Sequence, residues 1–263
     1  MPVVHVNGSS LFYIEEGTGV AIICIHPPVL TSQNFTFQIN ELSRDYRMLA
    51  FDIRGHGKSQ PSQQAVTYPL VVEDIVALMD HLNLSKAYLC GYSTGGSIVL
   101  EFLMAHPERS LGGIVVGGMS EVKDKKLRKN ILMGLILSKM KAIRTIAFSV
   151  SWTNSVSFQH FLELYREAKR THAKNAEQYY KYSLSFNATD LLERIELPIL
   201  LLYGEEDKAF HPYAQILHER LPKNELHFIP NVDHRIPTKA HDEMNKKIRY
   251  FISKHGKERL EQN

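Results

Sequence analysis

Short apolar runs alternate along this chain with stretches whose apolar residues fall every third or fourth position, so strands and helices are predicted in turn. Val3 to Val6 and Leu11 to Ile14 flank Asn7-Gly8, a pair suited to the tight turn of a hairpin. Val20 to Ile25 is apolar without a break, as in a strand covered on both faces. A helix closes over Leu42 to Tyr46, and Arg47 to Phe51 is the next buried strand. Pro69 to Leu82 has the helical period at Val71, Val72, Ile75, Leu78, Met79 and Leu82. Ala87 to Cys90 is a strand leading into Gly91-Tyr92-Ser93-Thr94-Gly95-Gly96, with a helical pattern after it at Ile98, Val99, Phe102 and Leu103. Gly112 to Val116 is the following strand.

The alternation stops from Ser120 to about Asn187, where the pattern is helical throughout. It resumes with the strand Pro198 to Tyr203, a helix over Ala214 to Leu221, the strand Glu225 to Ile229 and a helix over Lys239 to Ile252. The chain from Lys254 onward reads as a frayed tail. Strands alternating with helices predict an α/β fold, a mostly parallel sheet with helices on both faces. The helical block reads as an insertion between two strands of that sheet. The predicted division is a core of 1–119 and 188–263 with a helical lid over 120–187.

Chemistry enters at the carboxyl ends of the strands, where function gathers in such sheets. Gly91 and Gly95 flank Ser93 at the spacing of a strained strand-to-helix turn, which lifts the central hydroxyl above the sheet. A serine hydroxyl needs a base, and the base needs an orienting carboxylate. Of thirteen histidines, His234 is singled out because it lies just past the last strand, and Asp207 lies just past the strand before it. Glu121, after the Gly112 to Val116 strand, is an alternative acid, while His211 reads as a packing residue beside Pro212.

Composition narrows the setting. The 263 residues are 44% hydrophobic and 22% charged, with a net charge of +3, too small to argue for nucleic acid. The charge is uneven, however: Glu121 to Lys181 holds 13 Lys and Arg against 5 Asp and Glu, a net of +8. Cys24 and Cys90 fall inside predicted buried strands and read as reduced core residues. No metal-ligand spacing is present, and no cofactor is expected. The amino terminus lacks a secretory pattern, and the most apolar stretch, Ile131 to Leu137, is too short to span a bilayer. The expectation is a cytoplasmic monomer or homodimer acting on a small molecule, with no membrane span.

Four blocks, GYSTGG at 91–96, DIRGHGKS at 52–59, YGEEDKAFHP at 203–212 and NVDH at 231–234, give the chain a resemblance to the α/β-hydrolase fold family over nearly its whole length. The order serine, acid, histidine is that of the family. The resemblance implies Ser93 as nucleophile, His234 as general base and then acid, and Asp207 as its partner. It also implies the Thr94 amide as an oxyanion-hole donor, and a structural role for Asp52 and Arg54. Two departures stand out. The family's second donor position is filled by Pro28, which has no N–H, so either the Val29 amide swings in, a side chain such as Thr31 or Ser32 substitutes, or the activity is weak or unusual. Asp233 stands where glycine is usual; its carboxylate either stabilises the imidazolium of His234 or points into solvent.

Within the helical block, Met133, Met140 and Trp152, together with Tyr92, are the expected pocket residues for a largely apolar substrate. The expected activity is that of a serine hydrolase, carboxylesterase-like, cleaving a small ester or related acyl compound through an acyl-enzyme. Two alternatives are a carbon–carbon bond hydrolase of a diketone acid, for which a basic lid would suit the carboxylate, and a non-catalytic ligand- or partner-binding member of the fold.

Overall fold

The computed structural model describes residues 2–260. Eight strands form one sheet in the order β1-β2-β4-β3-β5-β6-β7-β8. They are β1 (Val3–Val6), β2 (Ser9–Glu16), β3 (Ala21–Ile25), β4 (Arg47–Phe51), β5 (Ala87–Tyr92), β6 (Ser110–Val116), β7 (Ile199–Gly204) and β8 (Asn224–Ile229). The first two strands pair antiparallel through the Asn7-Gly8 turn, where both residues have positive φ. β2 is also antiparallel to β4, and every later pairing is parallel. Parallel neighbours need crossovers, and helices supply them: α1 (Thr36–Leu42), α2 (Tyr68–His81), α3 (Thr94–Ala105) and α8 (His211–Arg220). The chain closes with α9 (Ile236–Lys239) and α10 (His241–Leu260). The backbone is therefore helical well past Lys254, where the apolar spacing has faded and a frayed tail was expected.

Side chains alternate across the central strands, and each face has its own core. Ile23, Ile25, Leu89, Val115 and Leu201 pack with Val72, Ile75 and Leu78 of α2 and with Val99 and Leu103 of α3. Ile22, Cys24, Cys90, Ile114 and Leu200 face the other way, against Ile39 of α1 and Met244, Ile248 and Phe251 of α10. This two-sided burial is why the inner strands read as unbroken apolar runs. Cys24 and Cys90 are register partners on β3 and β5, both free and buried.

Between β6 and β7 the chain forms α4 (Lys125–Lys139), α5 (Ile143–Asn154), α6 (Phe158–Ala168) and α7 (Ala173–Ser185). An isolated antiparallel bridge between Glu121 and Asn187 ties the base of this excursion. The excursion is joined to the core by a small apolar cluster in which Val29 packs with Ile143, Ile146, Ala147, Ala168 and Ala176. Tyr179 on α7 adds a hydrogen bond, its hydroxyl donating to the His26 carbonyl at 2.9 Å.

Candidate active site

At the end of β5 the chain reverses into α3 through Ser93, whose backbone sits at φ 54° and ψ −122°. This is a strained conformation for a residue with a side chain, and the surroundings hold it. The Ser93 amide donates to Val116 O at 2.8 Å. A Cβ on Gly91 would lie 2.2 Å from Gly95 O, and one on Gly95 would lie 2.2 Å from Ile25 O. Only glycine fits at either position, so the pair is a steric requirement of the turn. Thr94 opens α3, and its N–H is among the first-turn amides that no helical carbonyl can accept.

Two further strand ends converge on Ser93. After β7, Glu206 N donates to Val232 O at 3.0 Å, lacing the Asp207 loop to the loop that follows β8. Gly204 lets them close up, since a Cβ there would lie 2.1 Å from Asp233 O. Across this junction His234 Nδ1 and Asp207 Oδ2 are 2.7 Å apart. The carboxylate assigns the proton to Nδ1 and leaves the Nε2 lone pair free to accept. The imidazole is held between Phe210, with ring centroids 4.1 Å apart, and Tyr92, at 5.3 Å. It also lies over Gly117, where a Cβ would come 2.8 Å from His234 Cε1. Gly117 is a position that sequence reasoning missed; a glycine directly after a buried strand was its only signal.

Ser93 and His234 line a common cavity of about 200 Å³. Among the described residues no hydrogen bond joins the two side chains, and such contacts commonly tighten only when substrate binds. The walls are apolar: Leu30, Met119, Leu127, Ile131 and Val150, with Tyr180 and Tyr92. Asn154 also enters, its side-chain oxygen accepting from Tyr92 OH at 3.3 Å. Burial pushes the Tyr92 hydroxyl well above its usual range, so it stays a neutral donor. A second space of about 380 Å³ opens on the other side of the same serine and histidine, edged by Lys126, Asn130, Asp124 and Phe210.

Of the expected pocket residues, Tyr92 is in the wall, whereas Met133, Met140 and Trp152 are not. They are 49%, 70% and 59% exposed, on the outer side of α4 and α5. The apolar block on α4 has hydrophobic residues almost all round, so its period does not tell which side turns inward. Ile131 and Leu127 take that side instead.

The expected contribution of Val29 is its backbone amide, beside Pro28 of the cavity wall. Its backbone is left-handed at φ 69°, unusual for a β-branched residue, and its side chain is buried in the cluster with α5, α6 and α7. Pro27, Pro28 and Leu30 form the cavity wall there. Neither substitute side chain reaches the cavity. Both lie outside the cavity lining: Thr31 Oγ1 accepts from Gln33 N at 3.4 Å, and the Ser32 hydroxyl is buried elsewhere.

The remaining charged residues have structural partners. Asp52 accepts from Lys58 N at 2.9 Å, and burial raises its carboxyl above the usual range. Arg54 forms a buried two-pronged pair with Asp74, at 2.6 and 2.5 Å. Asp233 is paired with Arg235, which holds its carboxyl below the usual range. Glu121 accepts from Thr189 Oγ1 at 2.6 Å and pairs with Lys123, so it is not the partner of His234. His211 Nε2 lies 3.1 Å from Gly204 O, and its ring packs on Phe228. His26 accepts from Ile53 N at 2.9 Å through Nε2, so Nδ1 donates to Pro27 O, also at 2.9 Å.

Comparison with known proteins bears on the family and the fold. The chain matches the family Hydrolase_4, serine aminopeptidase S33, over residues 29–239. It belongs to that family, and it is an enzyme of the α/β-hydrolase fold. Among its relatives is the AB hydrolase superfamily protein YisY of Bacillus subtilis (strain 168), 26% identical over 260 residues, covering 92% of this chain and 95% of that protein. The serine hydrolase BPHL of Homo sapiens is 24% identical over 258 residues, covering 95% of this chain and 85% of that one. The crystal structure of the enol-lactonase from Burkholderia xenovorans LB400 superposes with a TM-score of 0.84 at 18% identity, covering 96% of this chain and all (100%) of that one. No helix among the described residues is long and apolar enough to cross a membrane.

Proposed function

We propose that the protein is a serine hydrolase of small, largely apolar esters or related acyl compounds, acting through an acyl-enzyme on Ser93. The observation that carries this reading is the 2.7 Å contact between His234 Nδ1 and Asp207, made in a cavity shared with a serine at φ 54°. Ser93 Oγ bonds to the carbonyl carbon as its proton passes to His234 Nε2. The carbonyl oxygen takes the electron pair and faces the Thr94 amide at the start of α3. The intermediate collapses, the leaving oxygen departs with the proton from His234, and water repeats the sequence to free the acid.

Pro27 and Pro28 bring no N–H, so the Thr94 amide and, on the facing loop, the Val29 amide are the donors this mechanism relies on. Losing either donor typically costs about 10²–10³ in rate. The apolar cavity takes the acyl chain. The second space takes the leaving group, and its mixed edge of Lys126, Asn130 and Asp124 suits a polar one. Residues 120–187 act as the lid on a core of 1–119 and 188–263, since Leu127, Ile131, Val150, Asn154 and Tyr180 all come from the inserted helices. The human relative named a serine hydrolase and the lactonase of like fold support acyl–oxygen cleavage. A cytoplasmic location suits the two free, buried cysteines.

Stopped-flow assay with p-nitrophenyl acetate tests the reading. A burst of p-nitrophenol equal to the enzyme concentration is expected in the wild type and none in Ser93→Ala. Equal turnover by both would overturn it.

A further inference from the structure

The outer faces of the inserted helices are unusually apolar. Among the described residues, fourteen large hydrophobic side chains are well exposed, and nine of them lie between Leu132 and Leu162. Patches of this kind on a soluble domain mark an interaction surface. On α4 the outward line Lys125, Lys129, Met133, Ile136, Met140 follows the helical repeat, basic at its start and apolar after. On α5, Arg144, Phe148 and Trp152 repeat the order. Phe148 and Trp152 stack with centroids 6.2 Å apart, and both meet Phe161 of α6, as does Phe158, whose ring is 67% exposed. Phe161 is itself buried beneath them, and Trp152, Val156 and Phe158 edge one surface pocket where α5 meets α6.

The charge around it selects the partner. All thirteen Lys and Arg residues from Lys123 to Lys181 are exposed. Among the described residues, Lys125, Lys129, Lys139, Lys141 and Arg144 are in no ion pair. A second copy of the chain docking by this face would set one +8 segment against another, and like charges in contact are costly. Exposed Trp, Phe and Met within unpaired Lys and Arg match the composition of helices that lie in a lipid interface. We infer that α4, α5 and α6 form a docking face for an anionic membrane surface, with Trp152 and Phe158 entering the headgroup region and the lysines meeting lipid phosphates. This face is separate from the Ser93 cavity, which is lined by other residues of the same helices, Leu127, Ile131, Val150 and Asn154.

Trp152 is the only tryptophan, so its emission reads this face directly. Adding phosphatidylcholine vesicles that contain phosphatidylglycerol is expected to shift the emission to the blue and to sediment the protein. Binding should be about tenfold or more tighter than to pure phosphatidylcholine and should weaken with salt. The double variant Met140→Ser/Phe158→Ser should lose most of the vesicle binding while keeping wild-type turnover of p-nitrophenyl acetate. Lys129→Glu/Lys139→Glu should lose the preference for anionic vesicles with the same retained turnover. An emission unmoved by anionic vesicles overturns the inference. So does equal binding to both vesicle types, or a dimer in sedimentation that only the Met140/Phe158 variant dissociates, which would assign the face to self-association.

Discussion

His234 Nδ1 lies 2.7 Å from Oδ2 of Asp207, a residue 27 positions earlier in the chain and on the loop after a different strand. The contact does two things at once: it fixes the tautomer and it offers a counter-charge to the imidazolium formed when Ser93 gives up its proton. Asp207→Asn keeps the shape and removes both. Turnover of p-nitrophenyl acetate is expected to fall by about 10⁴-fold with circular dichroism unchanged. A loss below tenfold would assign the acid role elsewhere.

The turn that presents Ser93 allows no side chain at Gly95, where a Cβ would sit 2.2 Å from the backbone oxygen of Ile25. Backbone cannot swing aside as a flexible side chain can. Gly95→Ala should therefore lower the melting temperature and abolish the acylation burst together. Gly8 is the control, with positive φ but open space around it. Gly8→Ala should cost about 1 kcal/mol and leave turnover intact.

Two buried histidines make the fold sensitive to acid. Burial lowers His26 to about 3 and His56 to about 4. An unfolded histidine titrates near 6.5, so below that pH the unfolded chain binds protons that the folded chain refuses. Stability is full above about pH 6.5 and is lost as the pH falls toward 4, by about 2 kcal/mol per histidine at pH 5. Urea midpoints between pH 7 and 5 should show this slope, and His56→Gln should reduce it. An unchanged slope in that variant would place the acid sensitivity in other groups.

The cavity wall makes a prediction that separates inner from outer residues of one helix. Ile131 lines the cavity and Met133, two positions on, is 49% exposed. Ile131→Ala should move the preferred acyl chain to longer esters, with a specificity change of about tenfold. Met133→Ala should leave the chain-length profile alone. The reverse pattern, measured with a series of p-nitrophenyl esters, would restore Met133 to the pocket.

That contrast also shows where the sequence is readable. The mostly parallel sheet follows from apolar strands separated by helical periods, and Ser93 from two glycines placed where no Cβ fits. Asp207 and His234 are legible because each lies just past one of the last two strands, and the structure brings them into contact. Orientation within the inserted helices is not legible. α4 is apolar on several faces, so whether Ile131 or Met133 points inward depends on where Tyr180 and Val29 pack, which is long-range information. The same holds for Val29, whose left-handed backbone follows from the cluster it fills on the far side of the loop. Gly117 becomes meaningful only once the imidazole is seen lying over it.

The most direct test of the central claim is covalent. Folded wild-type protein treated with a fluorophosphonate should gain the mass of one phosphonyl group, mapped by peptide sequencing to Ser93, and His234→Ala should label far more slowly. Folded wild-type protein that stays unlabelled, or is labelled at another residue, would contradict the account.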